Sequence, residues 1–135
     1  MTPEDPQLTE RLAEQRLRNR AIDVLEVLAA GQEGAERVGA NEWFNEFFDL
    51  FDEEGEWGDW RTWSTFNEAE LKGLGGIHFL MVMASENTGP FVDLEELEGM
   101  RWPARVQPLA RDVHKLMLER GRFSNDREES EPSGS

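Results

Sequence analysis

The sequence has no cysteine, only two histidines and far fewer basic than acidic residues. The absence of cysteine excludes disulfides, zinc–thiolate sites and thiol nucleophiles, and it is compatible with a reducing compartment. The longest apolar run, residues 77–84, is far short of the roughly 20 residues that a membrane-spanning helix requires. The N-terminal segment is charged throughout and lacks the apolar region of a signal peptide. We therefore expect a cytoplasmic protein without a membrane partner.

The charge is strongly one-sided, with 29 acidic residues against 14 basic ones and a formal net charge of −15. Phosphate binding requires a basic surface, so this balance argues against nucleic acid as a direct partner. It favours rapid encounter with basic partners. Genome composition or a salt-rich cytoplasm explains the total charge equally well, and the sequence leaves that alternative open.

A chain of 135 residues is the size of one domain. We divide it into a flexible N-terminal arm (residues 1–5), a helical domain (6–122) and a C-terminal tail (123–135). The tail has almost no apolar content and is acidic, so we expect it to be disordered.

Two helices are predicted in the first half of the chain. Asp5 as N-cap and Pro6 as the first helical residue predict the start of a long amphipathic helix that ends at Gly31. Residues 31–41 are rich in glycine and are expected to form a connector. A second helix with a wide aromatic stripe then follows and ends at Gly55.

The third helix has the clearest start in the sequence. Asn67 with Glu70 three residues later has the pattern of a capping box, and the helix should run to about Glu86. Residues 77–84 are apolar on all sides, which predicts that this is the most buried helix. Three glycines precede this segment: Gly73, Gly75 and Gly76. They either permit close helix packing or break the helix and leave 77–84 as a buried strand. We favour the helix.

Two further helices complete the prediction. Asp93 caps a short helix, and the last helix starts at Pro103 or Pro108 and ends at Gly121. No segment alternates convincingly between apolar and polar residues as a strand would. The fold class is therefore predicted as all-α, a single-domain bundle of four main helices plus one short helix.

No catalytic or metal-binding pattern is found. A carboxylate-bridged metal site would need acids three residues before His78 and His114, but these positions are Gly75 and Arg111. The HExxH, phosphate-loop and dinucleotide patterns are absent. A calcium loop fails because Leu50 would occupy its first ligand position. His78, in an apolar segment, is interpreted as a core histidine. We predict no catalytic residue, no metal and no cofactor.

Residues 41–60 contain eight acids, no base and seven aromatic residues. Trp57, Trp60, Trp63 and Phe66 recur every three residues, a spacing that drifts by about 60° per step around an α-helix. A 3₁₀ turn or an irregular loop would align these side chains better.

Two interpretations of this segment remain open. In the first, the connector inserts its rings into the core, with the indole N–H groups bonded to carbonyls or acids. In the second, acids and rings form a surface that binds arginine or lysine. We expect a combination, with Trp63 and Phe66 buried and Trp57 and Trp60 at the rim. The predicted partner-binding residues are Asp49, Asp52, Glu53, Glu54, Glu56, Trp57, Asp59 and Trp60.

The leading functional hypothesis is a non-catalytic cytoplasmic interaction protein that binds a basic protein partner, for example as an inhibitor or immunity-type protein. One alternative is a small helical enzyme or ligand-binding domain with a pocket near His78. Another is a DNA mimic that inhibits a DNA-binding protein. Residues 101–122 hold six bases and two acids, so packing of the acidic second helix beside them would neutralise part of the acidic surface internally.

Overall fold

The computed structural model describes residues 8–52, 54–55, 58–89 and 91–134, which form helices joined by turns and loops. The all-α class is confirmed. In chain order the helices are α1 (Glu10–Ala29), α2 (Gln32–Val38), α3 (Ala40–Leu50), α4 (Glu68–Thr88), α5 (Leu94–Gly99) and α6 (Trp102–Arg120), with a 3₁₀ turn at Trp60–Thr62. The predicted arm at residues 1–5 lies outside the described residues.

The core forms where α6 packs against α1 and α4, while α2 and α3 cover another face of α1. Each large apolar side chain removed from water there contributes about 1.5–3 kcal/mol. The fully buried members of this core include Ile22, Leu25, Trp43, Phe47, Leu74, Ile77 and Met117. The described helices include none that is long and apolar enough to cross a membrane.

Helix α1 begins later than predicted. Thr9 is its N-cap, and the hydroxyl of Thr9 accepts a hydrogen bond from the Leu12 amide at 3.1 Å. Leu8 and Thr9 are not helical, and the predicted cap and first residue, Asp5 and Pro6, lie outside the described residues. A threonine whose oxygen reaches an amide of the first turn is sufficient to start the helix there. The predicted end at Gly31 is confirmed.

The connector predicted at residues 31–41 contains a helix, α2, that the sequence reading missed. Gly31 has φ +61°, which reverses the chain directly after α1. Gly34 lies so close to α1 that an added Cβ would be 2.0 Å from the Val27 carbonyl oxygen. The glycines in this segment therefore do not only interrupt helices, as the sequence suggests. They also allow two helices to approach each other.

Helix α4 is continuous through residues 77–84, so the strand alternative is excluded. A Cβ at Gly73 would lie 2.4 Å from Val113 Cγ2, and one at Gly76 would lie 2.9 Å from Leu109 Cδ2. The glycines therefore permit close packing of α4 on α6. The capping box of Asn67 and Glu70 is confirmed, with both of its hydrogen bonds present.

Helix α4 is nevertheless not the most buried helix, and that prediction is wrong. Phe79 is 64% exposed, and Met83 is also exposed. Because α6, the helix that packs most extensively against α4, covers only part of its surface, apolar side chains on another part face solvent.

The remaining boundaries agree with the sequence at three of four points. Asp93 caps α5, α6 begins at Trp102 directly before Pro103, and Gly121 ends α6. Helix α3 ends at Leu50 and not at Gly55, because Phe51 leaves the helical conformation.

The structure differs from the predicted disordered tail over residues 123–134. Gln15 and Asn19 lie one turn apart on α1 and bind the tail backbone through both ends of their amide groups. Asn19 Nδ2 donates to the Phe123 carbonyl at 2.7 Å, and Asn19 Oδ1 accepts from the Phe123 amide at 3.0 Å. Gln15 binds the Ser124 and Arg127 carbonyls and the Glu129 amide in the same way. Polar side chains on α1 therefore order a segment that has little apolar content.

Glu70 links three helices in the interior. Its side chain is fully buried, and its Oε2 lies 3.1 Å from Arg18 Nη2 of α1. Its Oε1 accepts from Arg120 Nη1 of α6 at 2.7 Å and from the Asn67 amide at 2.9 Å. Burial lowers the pKa of the Arg18 guanidinium, and Glu70 opposes this shift. One carboxylate thus holds the start of α4 against α1 and α6.

Replacing Glu70 by glutamine should destabilise the protein strongly. The amide can keep the capping hydrogen bond but leaves the buried Arg18 cation unpaired, which costs about 3–5 kcal/mol. Urea unfolding compares this variant with Glu68→Gln, which removes an exposed acid from the same helical turn. Equal stability of the two variants would contradict the structural role of Glu70.

Replacing Asn19 by alanine should release the start of the tail. The Phe123 backbone groups lose their partners, which costs about 1–3 kcal/mol locally. Hydrogen exchange at the Phe123 amide should accelerate accordingly, while Glu26→Ala, on an exposed position of α1, should leave it unchanged. An Asn19→Ala variant with wild-type exchange at Phe123 would support a disordered tail instead.

Candidate functional site

The tryptophan-rich connector is fastened to α1 by polar contacts. Glu14 Oε1 accepts hydrogen bonds from the Ser64 amide and the Ser64 hydroxyl, both at 2.6 Å. The Thr65 hydroxyl donates to the Glu14 carbonyl at 3.0 Å. These bonds hold the segment around Trp60 and Trp63 against the helices.

Trp60 is buried, and the expectation that it lies at the rim is wrong. It is 1% exposed, and its ring packs edge-on against Phe51 with the centroids 5.4 Å apart. Trp60 lies in a 3₁₀ turn, one of the two conformations expected from the three-residue spacing. Burial of an indole contributes about 2–3 kcal/mol, which favours the core over the surface. Trp63 and Phe66 are buried as expected.

Asp59 is engaged within the chain. Its Oδ1 accepts from the Arg61 amide at 3.0 Å and from Arg61 Nη1 at 3.2 Å. The Arg61 guanidinium also lies over the Trp60 ring, 4.5 Å from the centroid. Asp59 therefore caps the 3₁₀ turn and forms an ion pair with Arg61. Its carboxylate is for this reason less available to a cation of a partner.

Asp49, Asp52 and Glu54 are exposed, and no ion pair involving them is found among the residues that the structure describes. Asp52 Oδ1 accepts from the Glu54 amide at 2.9 Å, which fixes the turn after α3. Asp49 and Asp52 share a cavity of about 210 Å³ with Arg20 of α1. Three of the predicted partner-binding residues lie outside the described residues: Glu53, Glu56 and Trp57.

Among the described residues, no ion pair joins the basic last helix to this acidic surface. Within the described ranges, Arg120 pairs with Glu70 and Glu131, and Arg122 beyond the helix end pairs with Asp23. None of these acids belongs to α3. The described acids at the end of α3 are therefore exposed to solvent and available to a partner.

The end of α3 and the middle of α4 enclose a depression of about 500 Å³, lined by Phe48, Phe51, Asp52, Glu54 and His78. We call these five residues the acidic depression. His78 contacts Phe48 edge-on at 6.3 Å between centroids. His78 also lies 6.1 Å from the Phe47 ring and 5.8 Å from the buried Trp60 ring. Two exposed carboxylates thus border a packed group of aromatic rings.

The chemistry of the acidic depression suits a cation. An aromatic face attracts a guanidinium or ammonium group, and a nearby carboxylate adds charge pairing and hydrogen bonds. Over the described part of the chain, no group of three or more His, Cys, Asp or Glu side chains is arranged to hold a metal ion.

The sequence reading identified the acids of this site but not its aromatic lining. Both aromatic rings of the lining, Phe48 and Phe51, come from the wide aromatic stripe that the sequence predicts for this helix. Phe51 is buried and Phe48 is partly exposed, because the stripe extends around more of the helix than one packed face can bury.

No protein-family model matches this chain, and the comparisons with curated proteins and with solved structures each gave no significant match. A function for this protein is therefore inferred from the geometry of the site and from the charge of the chain.

The buried position of Trp60 has a measurable consequence. Trp60→Ala should lower the free energy of unfolding by about 3–5 kcal/mol, because it leaves a cavity among Phe51 and the neighbouring rings. Phe79→Ala removes an exposed ring and should cost no more than about 0.5 kcal/mol. Thermal or urea unfolding of both variants tests this, and similar losses in the two would contradict the burial of Trp60.

Proposed function

We propose that this protein is a non-catalytic interaction protein that binds an arginine- or lysine-rich segment of a protein partner at the acidic depression. The observation that supports this most directly is the position of Asp52 and Glu54 at the edge of a cavity of about 500 Å³ lined by Phe48, Phe51 and His78. An inhibitor or immunity-type protein that neutralises a basic nuclease or toxin in the cytoplasm is one concrete form of this function.

Two contributions to the binding free energy favour a cation at the acidic depression. A cation over an aromatic ring gains about 0.5–1 kcal/mol at an exposed site and more as water is excluded. Hydrogen bonds from a guanidinium to carboxylates are stronger than neutral ones. Asp52 and Glu54 have no cation from this chain among their described contacts, so a partner's arginine would not have to displace one.

The charge of the whole chain supports the same proposal. A net charge of −15 attracts a basic partner over long range and accelerates encounter, and salt weakens this effect. Asp49, exposed on the last turn of α3, lies outside the acidic depression and lines the cavity that Asp52 shares with Arg20. Asp59 and Trp60 contribute by supporting the loop beside the site, since one is paired and the other is buried.

A small organic cation is the second candidate occupant. The volume of the depression is within the range of small-molecule sites, and His78 lines it. Such a ligand would make the protein a ligand-binding domain. Calorimetric titration with agmatine, which carries a guanidinium without a peptide, distinguishes this candidate from a peptide partner.

The proposed function predicts salt-sensitive binding of an arginine-rich peptide. The double substitution Asp52→Asn and Glu54→Gln should weaken binding at low salt by about tenfold, or about 1.4 kcal/mol, because it removes both carboxylates and keeps the shape. Fluorescence anisotropy of a labelled peptide, measured at low and high salt, gives the affinities.

The matched control is the double substitution Glu95→Gln and Glu96→Gln, which changes the net charge equally at exposed positions of α5. A site-specific interaction requires the control to bind nearly as well as the wild type. If both double variants lose affinity equally, the attraction is a property of the total charge and the acidic depression is not the site.

A further inference from the structure

A second concave surface lies where the end of α4 meets α5 and the start of α6. It has a volume of about 410 Å³ and is lined by Met83, Asn87, Gly99, Met100, Arg101, Trp102 and Arg105. We call it the α5–α6 groove. Its titratable lining residues are both arginines, in a chain whose net charge is −15.

Neither arginine of the α5–α6 groove has a carboxylate partner in the part of the chain that the structure describes. Arg101 and Arg105 are exposed, and no salt bridge to either is found among the described residues. Arg105 lies over the Trp102 ring, 4.8 Å from its centroid, which fixes its guanidinium at the groove. Arg101 and Arg105 thus both line the groove and have no described carboxylate to neutralise them.

The neighbouring acid Glu98 does not neutralise them. Glu98 and Arg101 both line an adjacent cavity of about 360 Å³, but no ion pair joins them. Burial and the neighbouring Glu36 carboxyl group raise the pKa of Glu98.

Trp102, which lines the groove, has a buried indole N–H without an acceptor, as have Trp43 and Trp60 elsewhere in the described core. Trp102 is 4% exposed, and its Nε1 has no hydrogen-bond partner among the described residues. A buried N–H without a partner is costly, so an acceptor that reaches it would be favoured.

The backbone at Arg101 is strained. Arg101 has φ +65°, and it is the one residue other than glycine with positive φ in the described ranges. An arginine there costs more than a glycine would, and such strain is frequent at binding sites. Arg101 is also the N-cap of α6 and provides no side-chain cap, so the partial positive charge of that helix end adds to the two cations.

We propose that the α5–α6 groove binds a small organic carboxylate, with Arg101 and Arg105 holding the carboxylate group. Guanidinium groups bind carboxylates through paired hydrogen bonds. Met83, Met100 and Trp102 provide an apolar wall for the body of the ligand. The volume suits a small molecule. This site lies apart from the acidic depression and prefers the opposite charge, so it is independent of the proposed function.

The test uses the full chain, with phenylacetate as the probe and two comparison compounds. Phenylacetamide has the same ring without the charge, and inorganic phosphate has the charge without the ring. The readout is the NMR signal of the Trp102 indole N–H, assigned with Trp102→Phe. Phenylacetate should shift this signal saturably, and both comparison compounds should bind at least about tenfold more weakly.

Three variants define the role of the arginines. Arg101→Gly removes a cation and suits the positive φ, so it should fold at least as stably as the wild type. Arg101→Gly and Arg105→Gln should each weaken phenylacetate binding about fivefold or more. Arg111→Gln, an equal charge change elsewhere on α6, should not change it.

Each outcome either supports or overturns the proposed carboxylate site. A saturable Trp102 shift that depends on the carboxylate, the ring and both arginines supports the site. The proposal is overturned if phenylacetate leaves the Trp102 signal unchanged, or if Arg101→Gly and Arg105→Gln bind it as well as Arg111→Gln does. Equal binding of phenylacetamide or of inorganic phosphate also overturns the assignment, because the site then does not recognise an organic carboxylate.

Discussion

The buried carboxylate of Glu70 is the constraint on which the arrangement of the long helices depends. It forms an ion pair with Arg18 of α1, and it accepts hydrogen bonds from Arg120 of α6 and from the amide that starts α4. Arg18 Nη2 in turn donates to the Gly121 carbonyl at 2.9 Å, where the tail leaves α6. A buried charge is costly unless it is paired, so the helices and the start of the tail are held in the one arrangement that satisfies Glu70.

Both proposed sites follow from the position of α4. His78, two turns beyond Glu70, reaches the aromatic rings at the end of α3 and completes the acidic depression. Met83 and Asn87, further along the same helix, line the α5–α6 groove. One helix thus contributes to a surface that suits cations and to another that suits anions. The division of charge between them explains how a strongly acidic chain can have a local cationic site.

Much of the fold could be predicted from local chemistry. The capping box at Asn67, the cap at Asp93 and the glycine at 121 are short-range signals, and all three were correct. Helix α2 was not predicted because glycine occurs both where a helix ends and where two helices pack closely together. The sequence alone does not distinguish these two cases. The order in the tail was missed because it depends on Gln15 and Asn19, which are more than 100 residues away in sequence.

The candidate site was only partly predictable for the same reason. Exposed acids such as Asp49 and Asp52 are evident from composition and helix periodicity. The burial of Trp60 depends on Phe51 and His78, which come from different elements, and pairing of Asp59 with Arg61 requires the geometry of the turn. Composition therefore identifies the charged segment. The three-dimensional packing determines which of its described residues are accessible to a partner.

The central functional claim is that a basic segment occupies the acidic depression, and intermolecular nuclear Overhauser effects measure this most directly. In a complex with an arginine-rich peptide, the arginine side-chain protons should give such effects with the ring protons of Phe48 and His78. A complex that forms without them, or that gives them only with residues distant from α3 and α4, would contradict the claim.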